Sequence, residues 1–295
     1  MFGGAETDPQ EESRKGEDRN FDLLKYDGVK ALRVGRADYA VKCFTEALKI
    51  SDDLEVRDYL SQAYIRVGEL DAALRELKTI AARQPENAGV LLMAAHVAFM
   101  QEDYAEQQAL CEQVLENEKL KMENEKFATA AEAYHQLGQA LRGQGDVVGA
   151  VAQLTQAIQL NEELGDARLL RGQVLLQMGD TSGAKADCDW LLEHVGAQED
   201  VLLLSARIAH AEGRDDEAIE RYNEVNEVNP FQLDAFRERG RIYYERGDKA
   251  AAEAEMKQLL ELNPGELEGV SGAYEAEGVE QMMKRAYSPI NPFGI

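Results

Sequence analysis

The stretch LRVGRADYAVKCFTEALKI at residues 32–50 returns, reworded, as LRGQGDVVGAVAQLTQAIQL at residues 141–160 and as YERGDKAAAEAEMKQLLEL at residues 244–262. A chain that repeats one pattern at a fixed period builds one supersecondary unit many times over, and this excludes most single-core folds. The period is measured from one turn residue: Gly35, Gly68, Glu102, Gly145, Gly179, Gly213 and Gly247, with steps of 33, 34, 43, 34, 34 and 34.

Five residues after each turn stand Ala40, Ala73, Gln107, Ala150, Ala184, Ala218 and Ala252. Four further on stand Phe44, Leu77, Cys111, Leu154, Cys188, Tyr222 and Met256, and three beyond those Ala47, Ile80, Val114, Ala157, Leu191, Val225 and Leu259. Offsets of four and three keep these side chains on one helical face, which must be buried. Upstream of each turn a second helix keeps one position small, at Gly28, Ser61, Ala95, Gly138, Gly172, Ala206 and Gly240, so that a neighbouring backbone approaches closely. A helical hairpin of this size has too little core of its own, and stacking against its neighbours supplies the missing burial.

This pattern resembles the tetratricopeptide repeat family. Seven units begin near Phe21, Leu54, Ala88, Ala131, Gly165, Glu199 and Leu233, and Pro85, Pro230 and Pro264 stand where the family ends a unit. The early Trp of the family is missing from all seven, and repeat three lacks both its Gly and its Ala. The resemblance implies an all-α fold: a right-handed superhelical solenoid of helix-turn-helix repeats that binds other proteins.

No Pro, Gly or Ser linker divides the chain of 295 residues, so one continuous array is expected over residues 21–266. Residues 1–20 are polar and aperiodic and read as a mobile tail without the apolar core of a signal peptide. The 43-residue step carries about nine extra residues around NEKLKMENEKFATA, a helical insertion near residues 117–130 whose Glu and Lys spacing would lengthen the second helix of repeat three. Residues 267–287, with Tyr274, Val279, Met282, Met283 and Tyr287, are expected to form a capping helix, because the end of a solenoid needs one. Ser288 onward, SPINPFGI, is too rich in Pro and Gly for helix and is either a loose end or a short ligand for the protein's own groove or a neighbour's. No segment has the length and apolarity of a membrane span, and a cytoplasmic location is expected.

Little in the sequence supports catalysis. RGQGDVVGA imitates a phosphate-binding loop, but it joins helix to helix with no strand before it. His96 and His135 fall on adjacent repeats, yet no Cys or carboxylate stands at ligand spacing, so no stoichiometric metal and no cofactor are expected. Cys43, Cys111 and Cys188 read as core residues rather than as disulfides or nucleophiles. The net charge of −24, from 56 acidic against 32 basic residues, opposes a phosphate backbone, so no nucleic-acid partner is expected. Many acids, including Asp22, Glu55, Glu132, Asp166, Asp200 and Asp234, stand near the start of a first helix, where they favour its dipole.

The resemblance assigns the second, fifth, ninth, twelfth and thirteenth positions of each first helix to a concave groove. Past the second position these include Lys25, Arg33, Arg66, Arg142, Arg207, Arg237 and Arg241 against only Asp58 and Glu245, so the groove inverts the sign of the chain. Two readings stand: pairing with carboxylates of neighbouring repeats, or recognition of a partner. The ninth positions, including Gln62, His96, Gln139, Gln173, Arg207 and Arg241, carry side chains able to bond a peptide backbone or carboxylates. Tyr59, His135, His210 and Tyr244 lie beside them on the same helices.

The first helix of repeat three, GVLLMAAHVAFMQ, is apolar nearly all round, so Leu92, Met93, Phe99 and Met100 are expected in the concavity. Leu169, Leu170 and Leu176, then Leu203 and Leu204, continue the theme unless curvature or the tail covers them. In the expected mechanism Leu92, Phe99 and Leu204 act as anchors, while Arg207 and Arg241 confer a salt-dependent preference for acidic groups. The clamp by which some co-chaperones of this family hold acidic C-termini is not transferred. Lys25 matches its first residue, but Val29, Tyr59, Gly89 and Met93 occupy other clamp positions.

The reading is a non-catalytic scaffold or adaptor that binds an extended or helical segment of another protein. Two alternatives stand beside it: a structural subunit that assembles through its edge or convex face, and a metal-dependent or small-molecule sensor or enzyme using the histidines.

Overall fold

The computed structural model describes residues 9–119, 126–263, 280, 282–284 and 287, with the side chains of residues 9–17, 118, 119 and 126 excepted. The described residues to Asn263 form fourteen helices, paired in chain order into seven hairpins. They are α1 (Pro9–Arg33) with α2 (Ala37–Ile50), α3 (Leu54–Val67) with α4 (Leu70–Arg83), α5 (Ala88–Met100) with α6 (Tyr104–Lys119), and α7 (Lys126–Gly143) with α8 (Val147–Leu160). There follow α9 (Gly165–Gln177) with α10 (Thr181–His194), α11 (Glu199–Ala211) with α12 (Asp215–Val228), and α13 (Leu233–Glu245) with α14 (Lys249–Leu262). The helices group into two compact units, Met1–Glu163 with α1 to α8 and Leu164–Ile295 with α9 to α14.

Each hairpin turns on a left-handed residue. Six are glycines with φ between 76° and 84°, and the seventh is Glu102 at φ 59°. The backbone N–H after that residue reaches back to close the first helix, as from Asp146 to the Leu141 carbonyl at 2.8 Å and from Asp180 to the Leu175 carbonyl at 2.9 Å. Where that next residue is Asp it also opens the second helix, since Asp146, Asp180 and Asp248 accept from the backbone N–H groups of Gly149, Gly183 and Ala251. One Gly-Asp pair thus stops one helix and starts the next.

The repeat register holds throughout. All seven residues of the Ala40 series are 0% exposed, Gln107 included, and no member of the Phe44 or Ala47 series exceeds 2%. The small position is a steric necessity at several repeats: an added Cβ would meet Phe44 at 2.5 Å from Gly28, Leu154 at 2.7 Å from Gly138, and Leu204 at 2.9 Å from Gly172.

Three details lie outside the repeat register. Helix α1 begins at Pro9, so residues 9–20 extend a helix where an aperiodic tail was expected. Proline fits the first helical position. Next, the long step lengthens both flanking helices, with α6 at 16 residues and α7 at 18, and residues 120–125 between them lie outside the described ones. Last, Met282, Met283 and Tyr287 are buried against Met256, Leu259 and Leu260 of α14. Tyr274, Val279 and SPINPFGI lie outside the described residues.

Candidate functional site

Within each unit some first helices touch directly, α1 with α3, α5 with α7 and α9 with α11, so these first helices share one side of their unit. In the first unit, α3 contributes Tyr59, half-buried and stacked on Phe44 at 5.7 Å. Its Gln62 donates to Asp58 at 2.9 Å, and Arg66 donates to the Leu32 carbonyl of the preceding repeat at 2.7 Å.

Helix α5 leaves Met93 and Met100 exposed, at 42% and 43%, with His96 exposed between them at helical spacing. Leu92 instead packs against the core, and half-buried Phe99 lies with its ring 6.3 Å from that of Tyr104 and 6.5 Å from that of His96. On α7, Gln139 accepts from Gln107 Nε2 at 3.0 Å, and Arg142 is half-buried. His135 Nδ1 stands 3.9 Å from Glu132, and Gln136 donates to the same carboxylate at 2.9 Å. These neighbours, His135 foremost, hold the Glu132 carboxyl below its ordinary range. Among the described residues no group of three or more His, Cys, Asp or Glu is placed to hold a metal ion, and no helix is long and apolar enough to cross a membrane.

The second unit corrects several expectations. Leu176, Leu203 and Leu204 are 6%, 5% and 1% exposed, so none is a groove anchor. Leu204 packs back onto Ala184, Cys188 and Leu191 of repeat five, whereas Leu203 packs with Tyr222, Ala235 and Ile242 toward repeat seven. Helix α11 is covered on both sides, which the positional assignment did not capture. Leu170 is equally buried at 9%, and Leu169 packs beside Trp190 on the same core cluster.

The inner cations are largely engaged within the protein, which favours the first of the two readings. Arg207 donates from Nε and Nη2 to Glu238 at 2.6–3.0 Å and from Nη2 to Asp234 at 3.2 Å. Tyr222 donates to the same Glu238 at 2.6 Å, and burial, then that carboxylate, push its phenol well above the usual range. Arg207 is therefore a structural residue rather than a free recognition group. Lys25 donates to Glu55 at 2.6 Å, Arg237 to Asp234 at 2.8 Å, and Arg241 to Glu245 at 2.8 Å. His210 Nδ1 lies 2.8 Å from Asp215, Tyr244 packs near Tyr287 with centroids 5.7 Å apart, and Gln173 is half-buried.

Two buried ion pairs went unforeseen. Arg239 grips Glu255 through Nε at 2.9 Å and Nη2 at 2.6 Å, and donates from Nη1 to Asn223 and Asn226. Arg171 grips the buried Asp187 in the same bidentate way at 2.8 and 2.6 Å. Both pairs span 16 residues, from the seventh position of a first helix to the partner helix of the same hairpin. The signal lay in the sequence as a recurrent Arg and acid at that spacing.

All three cysteines are free and buried. Burial pushes the Cys111 thiol up to about 12 and the Cys188 thiol up to about 11, which removes the reactive thiolate at neutral pH. Iodoacetamide at pH 7.5 should leave both unmodified in the native protein and alkylate them in 6 M guanidinium, with rates differing by roughly a hundredfold or more. Rapid native alkylation at Cys188, read by mass spectrometry, would contradict the packing described.

Set beside known proteins, the chain matches the tetratricopeptide repeat family model over residues 60–118, 135–189, 169–226 and 203–266, more than half of its length. No curated protein sequence matches it. Among solved structures it is similar to a tetratricopeptide repeat protein from Parabacteroides merdae, at 14% identity and a TM-score of 0.70, covering 91% of this chain and 99% of that one. It is also similar to PilW, a type IV pilus biogenesis factor (18% identity, TM-score 0.59, 71% of this chain and 94% of that one). A third is pilF of Pseudomonas aeruginosa (18% identity, TM-score 0.56, 73% and 94%). At these identities the likeness shows the fold alone. With hairpins, turn residues and packing slots all in register, the chain belongs to the tetratricopeptide repeat family.

Proposed function

We propose that the protein is a non-catalytic scaffold that binds a segment of another protein on the inner side of repeats two to four. The observation that carries this reading is the face of α5 on which Met93 and Met100 are both more than two-fifths exposed. A repeat needs neither residue for its packing, and thioethers adapt to varied apolar partners. Around them Gln62, Arg66, His96, His135, Gln139 and Arg142 supply the polar rim that sets register. The segment recognised is apolar at its centre, and internal pairing of Arg207 and Arg241 leaves little cause for an acidic requirement in the second unit. Met282, Met283 and Tyr287 serve as the cap of the last repeat in the same reading.

One observation favours the edge-assembly reading as a second possibility. Within each unit the third position of the first helix is buried beneath the preceding repeat at Val56, Ala133, Val201 and Ala235, all at 3% exposure or less, and Val90 is partly buried. In repeat one that position is Leu23 at 54%, with Tyr26 beside it at 65%.

Two double variants separate the readings. Met93→Glu with Met100→Glu should weaken a partner captured by the wild-type protein by about tenfold or more, with the helical circular dichroism unchanged, because both side chains are exposed. Leu23→Ser with Tyr26→Ser should leave that partner bound. The reverse pattern would transfer the function to the edge.

A further inference from the structure

Repeat three departs from its neighbours at its turn and in the slot that faces α7. Its turn residue is Glu102 at φ 59°, where the other six repeats place glycine. A side chain in that conformation crowds its own carbonyl, so this turn is strained where the others are not. Five residues on, Gln107 fills the slot that is alanine elsewhere and is 0% exposed. Its Nε2 donates to Gln139, but its Oε1 is buried and receives no hydrogen bond. On α7, Gln136 is 8% exposed and its Oε1 is likewise buried without a donor, and Nδ1 of His135, 3.9 Å from Glu132, is buried without a hydrogen bond.

Water solvates such atoms whenever the contact separates, so each one biases the equilibrium toward opening. We propose that the α6–α7 contact is a built-in weak point of the first unit, which opens locally while the hairpins on either side stay folded. In the slot of Gln107 the other six repeats place a buried alanine, which has no polar side-chain atom to strand. Separation there frees α5 to move relative to α7, the two first helices that carry Met93, Met100 and His135 and touch each other directly. That consequence for binding rests on the function proposed above. The opening itself does not, so hydrogen exchange on the full chain without any partner tests it alone.

In native-state hydrogen exchange read by mass spectrometry, amides of residues 105–115 should exchange about tenfold or more faster than those of residues 71–81 in α4 and 148–158 in α8. Gln107→Leu, which removes the orphaned acceptor at similar volume, should slow exchange of 105–115 by about tenfold and leave α4 unchanged. Glu102→Gly relaxes the turn without touching the core and should slow it by about fivefold, which keeps the test open if the Leu variant folds poorly. Protection of α6 equal to that of α4 and α8, or exchange that neither variant slows, overturns the proposal.

Discussion

Ala184→Glu is expected to destabilise the protein by about 3–5 kcal/mol, because it both overpacks a closed seam and buries a charge with no partner. Ala184 is 0% exposed and shares its cluster with Cys188, Leu191 and Leu204. Its carbonyl lies 3.6 Å from where a Cβ on Gly172 would stand, so the two backbones leave no room for a longer side chain. Ala186, two residues along the same helix, is exposed and provides the control. Ala186→Glu should change stability by about 0.5 kcal/mol or less. Urea unfolding followed by circular dichroism measures both, and equal midpoints for the two variants would show that the helix is rotated from the register described here.

The second large effect is at Arg239. Its side chain is 7% exposed and that of Glu255 is 15% exposed, so Arg239→Ala strips a largely buried carboxylate of its bidentate partner. It also leaves Asn223 and Asn226 without their donor and removes a cation from above the Phe236 ring at 5.3 Å. A cost of about 3–5 kcal/mol is expected. The informative comparison is Arg239→Met with Glu255→Met, which replaces both charges by apolar chains of similar length and should recover most of that loss. A double-mutant cycle separates the contributions. If the double variant is as unstable as Arg239→Ala, the loss lies in packing and in the Asn contacts rather than in an uncompensated charge.

The packing core was legible because it follows from helix geometry alone. Offsets of four and three after a turn leave one face, and every residue placed on it, from Ala40 to Leu259, is 2% exposed or less. The departures of repeat three were legible too, as a missing Gly at 102 and a missing Ala at 107, although their consequence was not. Sequence shows that a Gln occupies a small slot. It does not show that one of that Gln's atoms finds a partner in Gln139 while the other finds none.

The candidate site was legible only in its first half. Met93 and Met100 stood out because α5 is apolar nearly all round, and a helix with too many apolar residues must leave some of them uncovered. The same reasoning failed at Leu203 and Leu204, because which face of a first helix is covered depends on the helices before and after it. Leu204 reaches back into the notch at Gly172, and Leu203 reaches forward toward Ile242. The charge of the inner face misled for a related reason. Arg207 and Glu238 are 31 residues apart, and only the stacking of two repeats brings them within 2.6 Å.

The period, the hairpin, the turn residues and the buried seam are therefore properties of the sequence by itself, since each follows from contacts within three to five positions along one chain segment. Which cations remain available, which leucines are covered and where polar atoms are stranded were decided by tertiary structure. Those outcomes depend on side chains from different repeats meeting, and the repeat pattern specifies where such a meeting occurs without specifying what is satisfied there.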